Sequence, residues 1–148
     1  MRITLRLCDH DSYFVSLPQH YNHLVQAAIY RSISPSLSLF LHEKGFTYGK
    51  RAFKMFTFSR LLGKNRREGE TLLFEGEIAL HLSSPIERFI KDIANTMVRH
   101  GLFKIGTKEL SVVELKFHKE PKIAGEMRIK TLSPITIYST LFTQNCKK

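Results

Sequence analysis

Three side chains in a short span have the types needed to move protons beside a phosphate: Tyr30, His42 and Lys54. An imidazole with a pKa near ~6.5 both takes and gives a proton near neutral pH. Cleavage of an RNA strand needs that ability. A base removes the proton from a 2'-hydroxyl, the oxygen attacks the adjacent phosphorus, and an acid protonates the departing 5'-oxygen. A cation close by stabilises the charge that gathers on the phosphoryl oxygens. His42, Tyr30 and Lys54 could fill these roles without a metal. On an unbroken helix the spacing from residue 30 to residue 42 would place the two rings about 120° apart, so the break at Pro35 must reorient them. The residue types alone also fit a surface or helix-end histidine, which is the commoner case.

The segment around them is strongly basic. Between Lys44 and Arg67 stand eight cations (Lys44, Lys50, Arg51, Lys54, Arg60, Lys64, Arg66, Arg67) and no Asp or Glu, with Phe46, Tyr48, Phe53, Phe56 and Phe58 interleaved. Guanidinium and ammonium groups bind phosphates, and exposed aromatic faces stack on bases. The phenylalanines are expected mainly in the core. Lys50, Arg51, Arg60, Lys64, Arg66 and Arg67 are the candidate RNA-binding residues, with the run Gly-Lys-Asn-Arg-Arg read as an exposed tip. The whole chain of 148 residues carries 23 Lys and Arg against 13 Asp and Glu, a net charge of +10. Such a surplus concentrates polyanions at the surface, nucleic acid first and an anionic membrane second.

Other chemistries find little support. Cys8 and Cys146 fit neither a zinc spacing nor a disulfide framework, and point to a reducing cytoplasm. No apolar run reaches the ~18 residues of a membrane span. The N-terminal Met-Arg-Ile-Thr-Leu-Arg-Leu alternates like a strand and does not resemble a signal peptide. No glycine-rich phosphate loop of the nucleotide-triphosphate or dinucleotide type occurs. Asp9-His10-Asp11 and His20 with His23 read as solvated, and His81, His100 and His118 as outward or helix-end residues. No cofactor, metal or membrane partner is called for.

The elements that must position the triad are legible in part. Ile3, Leu5 and Leu7 alternate with Arg2, Thr4 and Arg6, predicting a half-buried first strand. The stretch from Cys8 to Pro18 reads as a loop. A helix from about Asn22 carries Leu24, Ala27, Ala28 and Ile29, is broken before Pro35, and is followed by a short helix from Leu37 to about Glu43, stopped by Gly45. Phe53 to Leu62 reads as a strand and Gly63 to Glu70 as a polar hairpin tip. Leu72, Phe74, Ile78, Leu80 and Leu82 share one face of the clearest strand. Ser84, Pro85 and Glu87 then form a capping box that opens the clearest helix, whose stripe is Ile86, Phe89, Ile90, Ile93, Ala94, Met97 and Val98, ended by Gly101. A last strand puts Val113, Leu115 and Phe117 on one side and ends at Pro121. The predicted class is α+β, with the order β-α-β-β-α-β of a ferredoxin-like domain over residues 1–121. An RNA recognition motif is a poor fit, because its aromatic third strand is here occupied outward by Glu75 and Glu77. Residues 122–148 read as the first strand, after Gly125, of a truncated second domain.

Several stretches together (LPQHYNHLVQAAIYRSIS, LHEKGF, FKMFTFSRL, EGEIALHLSSP and IKTLSPI) resemble the CRISPR-associated endoribonuclease that cuts precursor CRISPR RNA within its repeats. The likeness runs in order from Met1 to about Pro134. It implies two tandem ferredoxin-like domains of the repeat-associated RNA-processing superfamily. It also implies metal-independent cutting that leaves a 5'-hydroxyl and a cyclic phosphate, and transfer of the guide RNA to an interference complex. In members with a Tyr-His-Lys triad the matching positions are Tyr30, His42 and Lys54, with Lys50 close enough to compete for the last role. His42 would act as general acid or base, Tyr30 would assist the 2'-hydroxyl, and Lys54 would steady the phosphate. The family's glycine-rich C-terminal loop has no counterpart here. The chain is therefore expected to be a fragment, or the product of an interrupted gene, whose strand after Gly125 exposes an apolar edge through which a homodimer could form. A non-catalytic RNA-binding relative and a basic structural subunit are the competing readings.

Overall fold

The computed structural model describes residues 1–120 together with Gly125 and Glu126. In chain order the elements are β1 (Arg2–Cys8), β2 (Phe14–Pro18), α1 (Asn22–Arg31), α2 (Pro35–Glu43), β3 (Phe46–Tyr48), β4 (Arg51–Phe53), β5 (Thr57–Phe58), β6 (Leu62–Glu68), β7 (Thr71–Ser83), α3 (Glu87–His100), β8 (Leu102–Ile105) and β9 (Lys108–His118). The fold is mixed, with one seven-stranded antiparallel sheet and a separate two-stranded hairpin of β3 and β4. Among the described residues no helix is long and apolar enough to cross a membrane.

The longest strand organises the sheet. Along one edge of β7, Arg2 to Leu7 pair with Ser83 to Ile78, and Phe14 to Pro18 pair with Glu75 to Thr71. β1 and β2 therefore act as one interrupted strand. The residues between them bulge out opposite Gly76, whose backbone N–H donates to the Tyr13 carbonyl at 2.9 Å. β6 and β5 pair along the other edge, and β9 followed by β8 extends the sheet beyond β1. Period-two alternation gives the sheet its two faces. Ile3, Leu5, Leu7, Phe74, Ile78, Leu80 and Leu82 are buried against Val25 and Ile29 of α1 and Phe89, Ile90, Ile93 and Met97 of α3. Removing this apolar area from water is the main force holding the layers together.

Several expectations change. The basic run that reads as an exposed tip is strand β6, with Arg67 opposite Leu72 and Asn65 opposite Phe74, and only Gly69 and Glu70 make the turn. Backbone pairing to a half-buried neighbour outweighs the poor strand propensity of Lys, Asn and Arg. The loop expected from Cys8 to Pro18 contains β2, whose Val15 and Leu17 are buried. The expected strand from Phe53 to Leu62 is broken, because Met55 adopts a left-handed conformation (φ 55°) and leaves only Thr57 and Phe58 paired to β7. A further strand, β8, fills the space after Gly101 with Phe103 and Ile105 buried.

Helix α3 begins later than its capping box predicts. Ile86 is the N-cap, and Glu87 bridges Lys91 at 2.6 Å instead of reaching back. The Ser84 hydroxyl donates to the Met55 carbonyl at 2.7 Å while accepting the Ile86 N–H at 3.0 Å. Val98 leaves the apolar stripe and is 79% exposed. Gly101 ends the helix in the left-handed conformation, as expected. On β9, Val113 and Phe117 are exposed, although Leu115 is partly buried against the core. The expected boundary at Pro121 and the strand after Gly125 lie outside the described residues.

Two stability outcomes follow from this packing. Phe89 is 1% exposed and central to the core, so Phe89→Ala should cost about 3–5 kcal/mol in urea unfolding; a loss below about 1 kcal/mol would contradict its placement. Gly45 and Gly49 both have positive φ, but a Cβ on Gly45 would sit 2.7 Å from the Phe53 carbonyl oxygen and one on Gly49 would meet nothing. Gly49→Ala should therefore lose about 1 kcal/mol and Gly45→Ala clearly more, whereas equal losses would refute the close approach.

Candidate active site

The site is assembled by a helix break. α1 buries Val25, Ala28 and Ile29, which leaves the next residue, Tyr30, half-buried at the edge of the core. The Ser32 N–H closes the helix on the carbonyls of Ala28 and Ile29. Ser34 is extended (ψ 143°), as a residue before proline must be, and Pro35 opens α2. Burial of Leu37 and Leu41 then fixes the roll of α2 and puts His42 in its last turn. The rings of Tyr30 and His42 meet edge to face, with centroids 6.4 Å apart at 78°.

Lys54 arrives from the other side of the same helix end. Its ammonium donates to the carbonyl of Leu41 and, at 3.0 Å, to that of His42. These carbonyls belong to the last turn, which has no intrahelical donors left and carries the negative end of the helix dipole. A lysine is well suited to that position. Two of its three N–H groups are thereby used, and the third is available to an anion. Gly45, at φ 69°, lets the chain turn back so that Phe53 and Lys54 pass close to α2.

The Tyr30 phenol is held by aromatic contacts. Its ring lies edge-on to Phe56 at 5.7 Å, and Phe56 stacks on Phe89 at 4.8 Å and 18°. The left-handed Met55, with its carbonyl held by Ser84, lies between the lysine bound to α2 and the phenylalanine stacked on α3. Burial pushes the Tyr30 pKa above its usual value near 10. At neutral pH the group is a phenol and a hydrogen-bond donor, and not a phenolate base.

The basic residues divide into two groups. Lys50 and Arg51 sit on the hairpin of β3 and β4 that rises from the end of α2, beside Tyr48, which is 84% exposed. Arg60 lines a cavity of about 650 Å³ with Gln19, His20, His23 and Asn65. Among the described residues these three cations have no carboxylate partner. Lys64, Arg66 and Arg67 instead pair with Glu75 at 2.5 Å, Glu68 at 2.8 Å and Glu70 at 3.8 Å. Arg66 also lies over the Phe14 ring at 5.1 Å. Sequence reasoning missed two features here. Phe56 supports Tyr30, a role no local pattern announces. His81 and His118 are both joined to Thr4, and only the strand register brings them together. No group of three His, Cys, Asp or Glu among the described residues is placed to hold a metal ion.

Comparison with known proteins places the chain in a family. Residues 16–116 match the family described as CRISPR-associated protein Cas6, N-terminal. The chain is similar to CRISPR-associated endoribonuclease Cas6 1 of Methanocaldococcus jannaschii, with 32% identity over 98% of this chain and 55% of that protein. It is also similar to the putative CRISPR-associated endoribonuclease-like protein Cas6nc of Pyrococcus horikoshii, with 30% identity over 87% of this chain and 53% of that one. A solved structure of a CRISPR associated protein Cas6 superposes with a TM-score of 0.60 and 30% identity, over 82% of this chain and 50% of that chain. The chain spans about half the length of the curated relatives it matches. With more than half of its residues matched to the family, and with a fold like that of a solved member, the chain belongs to the CRISPR-associated protein Cas6 family, to whose N-terminal part it corresponds.

Proposed function

We propose that this chain is the catalytic portion of a metal-independent endoribonuclease that cuts CRISPR repeat RNA. The observation that carries the reading is the meeting of Tyr30, His42 and Lys54 around the C-terminal turn of α2. His42 takes the proton of the 2'-hydroxyl or returns one to the 5'-oxygen. Tyr30, kept protonated by burial, donates a hydrogen bond in that step. The free N–H of Lys54 meets the phosphoryl oxygens. The 2'-oxygen displaces the 5'-oxygen at phosphorus, which leaves a cyclic phosphate and a 5'-hydroxyl. Lys50, Arg51 and Arg60 hold the RNA backbone, with Lys64, Arg66 and Arg67 contributing once their carboxylates are exchanged for phosphate. The guide RNA then passes to the interference complex in the cytoplasm.

The domain is read as ferredoxin-like. The strand order β6-β7-β1-β9, with α1 and α3 as the connecting helices, supports this. Residues 122–148 are the start of a second domain in this reading. The attachment of Lys54 to two backbone carbonyls favours one alternative, an RNA-binding relative in which the lysine serves only as a helix cap.

Cleavage of labelled repeat RNA in EDTA separates the two. His42→Ala should slow cutting by about 10²–10⁴-fold with RNA affinity preserved; unchanged cutting would overturn the triad. Phe56→Ala should also lower the cutting rate while leaving affinity within about twofold, because it frees the Tyr30 ring without touching a cation. The Tyr30 pKa lies above its ordinary value, so the phenol keeps its proton until well above neutral pH. Tyr30→Phe should therefore lower the rate by a constant factor from pH ~6 to ~9. A limb in the pH profile that vanishes in Tyr30→Phe would show that Tyr30 ionises during the reaction.

A further inference from the structure

A second cluster lies on the sheet face turned away from the helices. Thr4 of β1 stands opposite His81 of β7 and Lys116 of β9, and Arg2 stands opposite His118. The Thr4 hydroxyl is 2.7 Å from His81 Nδ1 and 2.6 Å from His118 Nε2. The two imidazole rings are 6.2 Å apart at 81°. They border a depression of about 400 Å³. Among the described residues His81 Nε2 and His118 Nδ1 make no hydrogen bond, so each ring keeps one nitrogen for a ligand.

The surrounding charge is asymmetric. Glu77 and Glu114 border the same depression, but both are engaged by Arg6. Arg2 and Lys116 have no carboxylate partner among the described residues. Partial burial, then Arg2, Lys116 and His81 in turn, hold the His118 pKa below its ordinary value. An anion in the depression would oppose those cations and favour the protonated ring.

Proton counting makes the row more specific. A threonine hydroxyl has one proton to donate. With both rings neutral, one ring accepts that proton and carries its own N–H on the nitrogen away from Thr4. The other ring donates its N–H to the Thr4 oxygen and keeps a bare nitrogen on its free side. One added proton turns that bare nitrogen into a donor. The singly protonated row then offers two N–H groups to an oxyanion, flanked by a guanidinium and an ammonium.

We propose that the row of His81, Thr4 and His118 is a phosphodiester-binding site that takes up one proton as it binds the backbone of a single RNA strand. The oxyanion chemistry stands on the geometry, whereas the choice of RNA rests on the RNA-processing reading above. The net charge of +10 favours a polyphosphate chain over an acidic protein surface, because the repeating charge is satisfied at several cations at once.

Two measurements test the site in the His42→Ala background, where cutting is expected to be slow and residue 42 carries no ionisable group. In the first, dimethyl phosphate, whose charge is constant near neutral pH, is titrated against the ring nitrogen resonances of the histidines. His118 should rise in pKa by about half a unit or more. In the second, the anisotropy of a labelled single-stranded repeat RNA is read at pH ~6 and ~8. Affinity should fall about three- to tenfold with rising pH, one proton being linked. His118→Gln, which keeps a hydrogen bond to Thr4 but cannot be charged, should flatten this to less than about twofold.

No response of His118 to dimethyl phosphate overturns the site. So does a pH dependence of RNA affinity that His118→Gln leaves intact. A stronger response to an acidic peptide than to dimethyl phosphate overturns the phosphodiester assignment. A response to dimethyl phosphate with no RNA binding by the parent chain supports the oxyanion site and overturns the RNA-processing reading instead.

Discussion

The candidate site depends on one chain of aromatic contacts. Phe89 is fixed in the core by α3, Phe56 stacks on it, Tyr30 meets Phe56, and His42 meets Tyr30. The first ring is fully packed and the last is exposed, so rigidity passes from the interior to the surface in three contacts. Interiors packed to crystal-like density do not allow such rings to shift freely. A proton-transfer group must be held to within a fraction of an ångström, and an exposed histidine in the last turn of a nine-residue helix could not hold that position alone.

The second constraint is the shared use of Lys54. The same ammonium that caps α2 is held by the backbone carbonyls of Leu41 and His42. Its position relies on two backbone features, the left-handed Gly45 and the left-handed Met55. Glycine adopts that conformation without penalty, whereas methionine does so at some cost. The Ser84 hydroxyl, bonded to the Met55 carbonyl, helps offset it.

Electrostatics divides the molecule further. The chain carries a large basic surplus, yet the cations of β6 are largely paired within their own hairpin. Surface pairs of this kind contribute little to stability, but they determine which cations are available at once to an anion. Lys50, Arg51 and Arg60 are available in this sense. On the open face of the sheet, Arg6 engages Glu77 and Glu114, and Arg2 and Lys116 beside the row at His81 and His118 have no carboxylate partner among the described residues.

Much of this was readable from composition and period. The alternation of Ile3, Leu5 and Leu7 and of Ile78, Leu80 and Leu82 fixed the faces of β1 and β7, because a strand's side chains alternate whatever else the chain does. The break at Pro35 and the stop at Gly101 are local steric facts. Tyr30, His42 and Lys54 could be named by type and by resemblance only as candidates. What the sequence could not supply was anything decided by a partner distant along the chain. The basic run became strand β6 because β7 offered it a backbone ladder. Ser84 left its expected capping role because the Met55 carbonyl, 29 residues earlier, came within reach. Thr4 met His81 and His118 because strand register aligned them. By itself, the order of residues determined the periodicities, the turns and the supply of charge, since these depend on neighbours along the chain. The approach of the rings to one another, the pairing of each cation and the joining of the two histidines were decided only in three dimensions, where the burial of apolar surface sets which distant groups must meet.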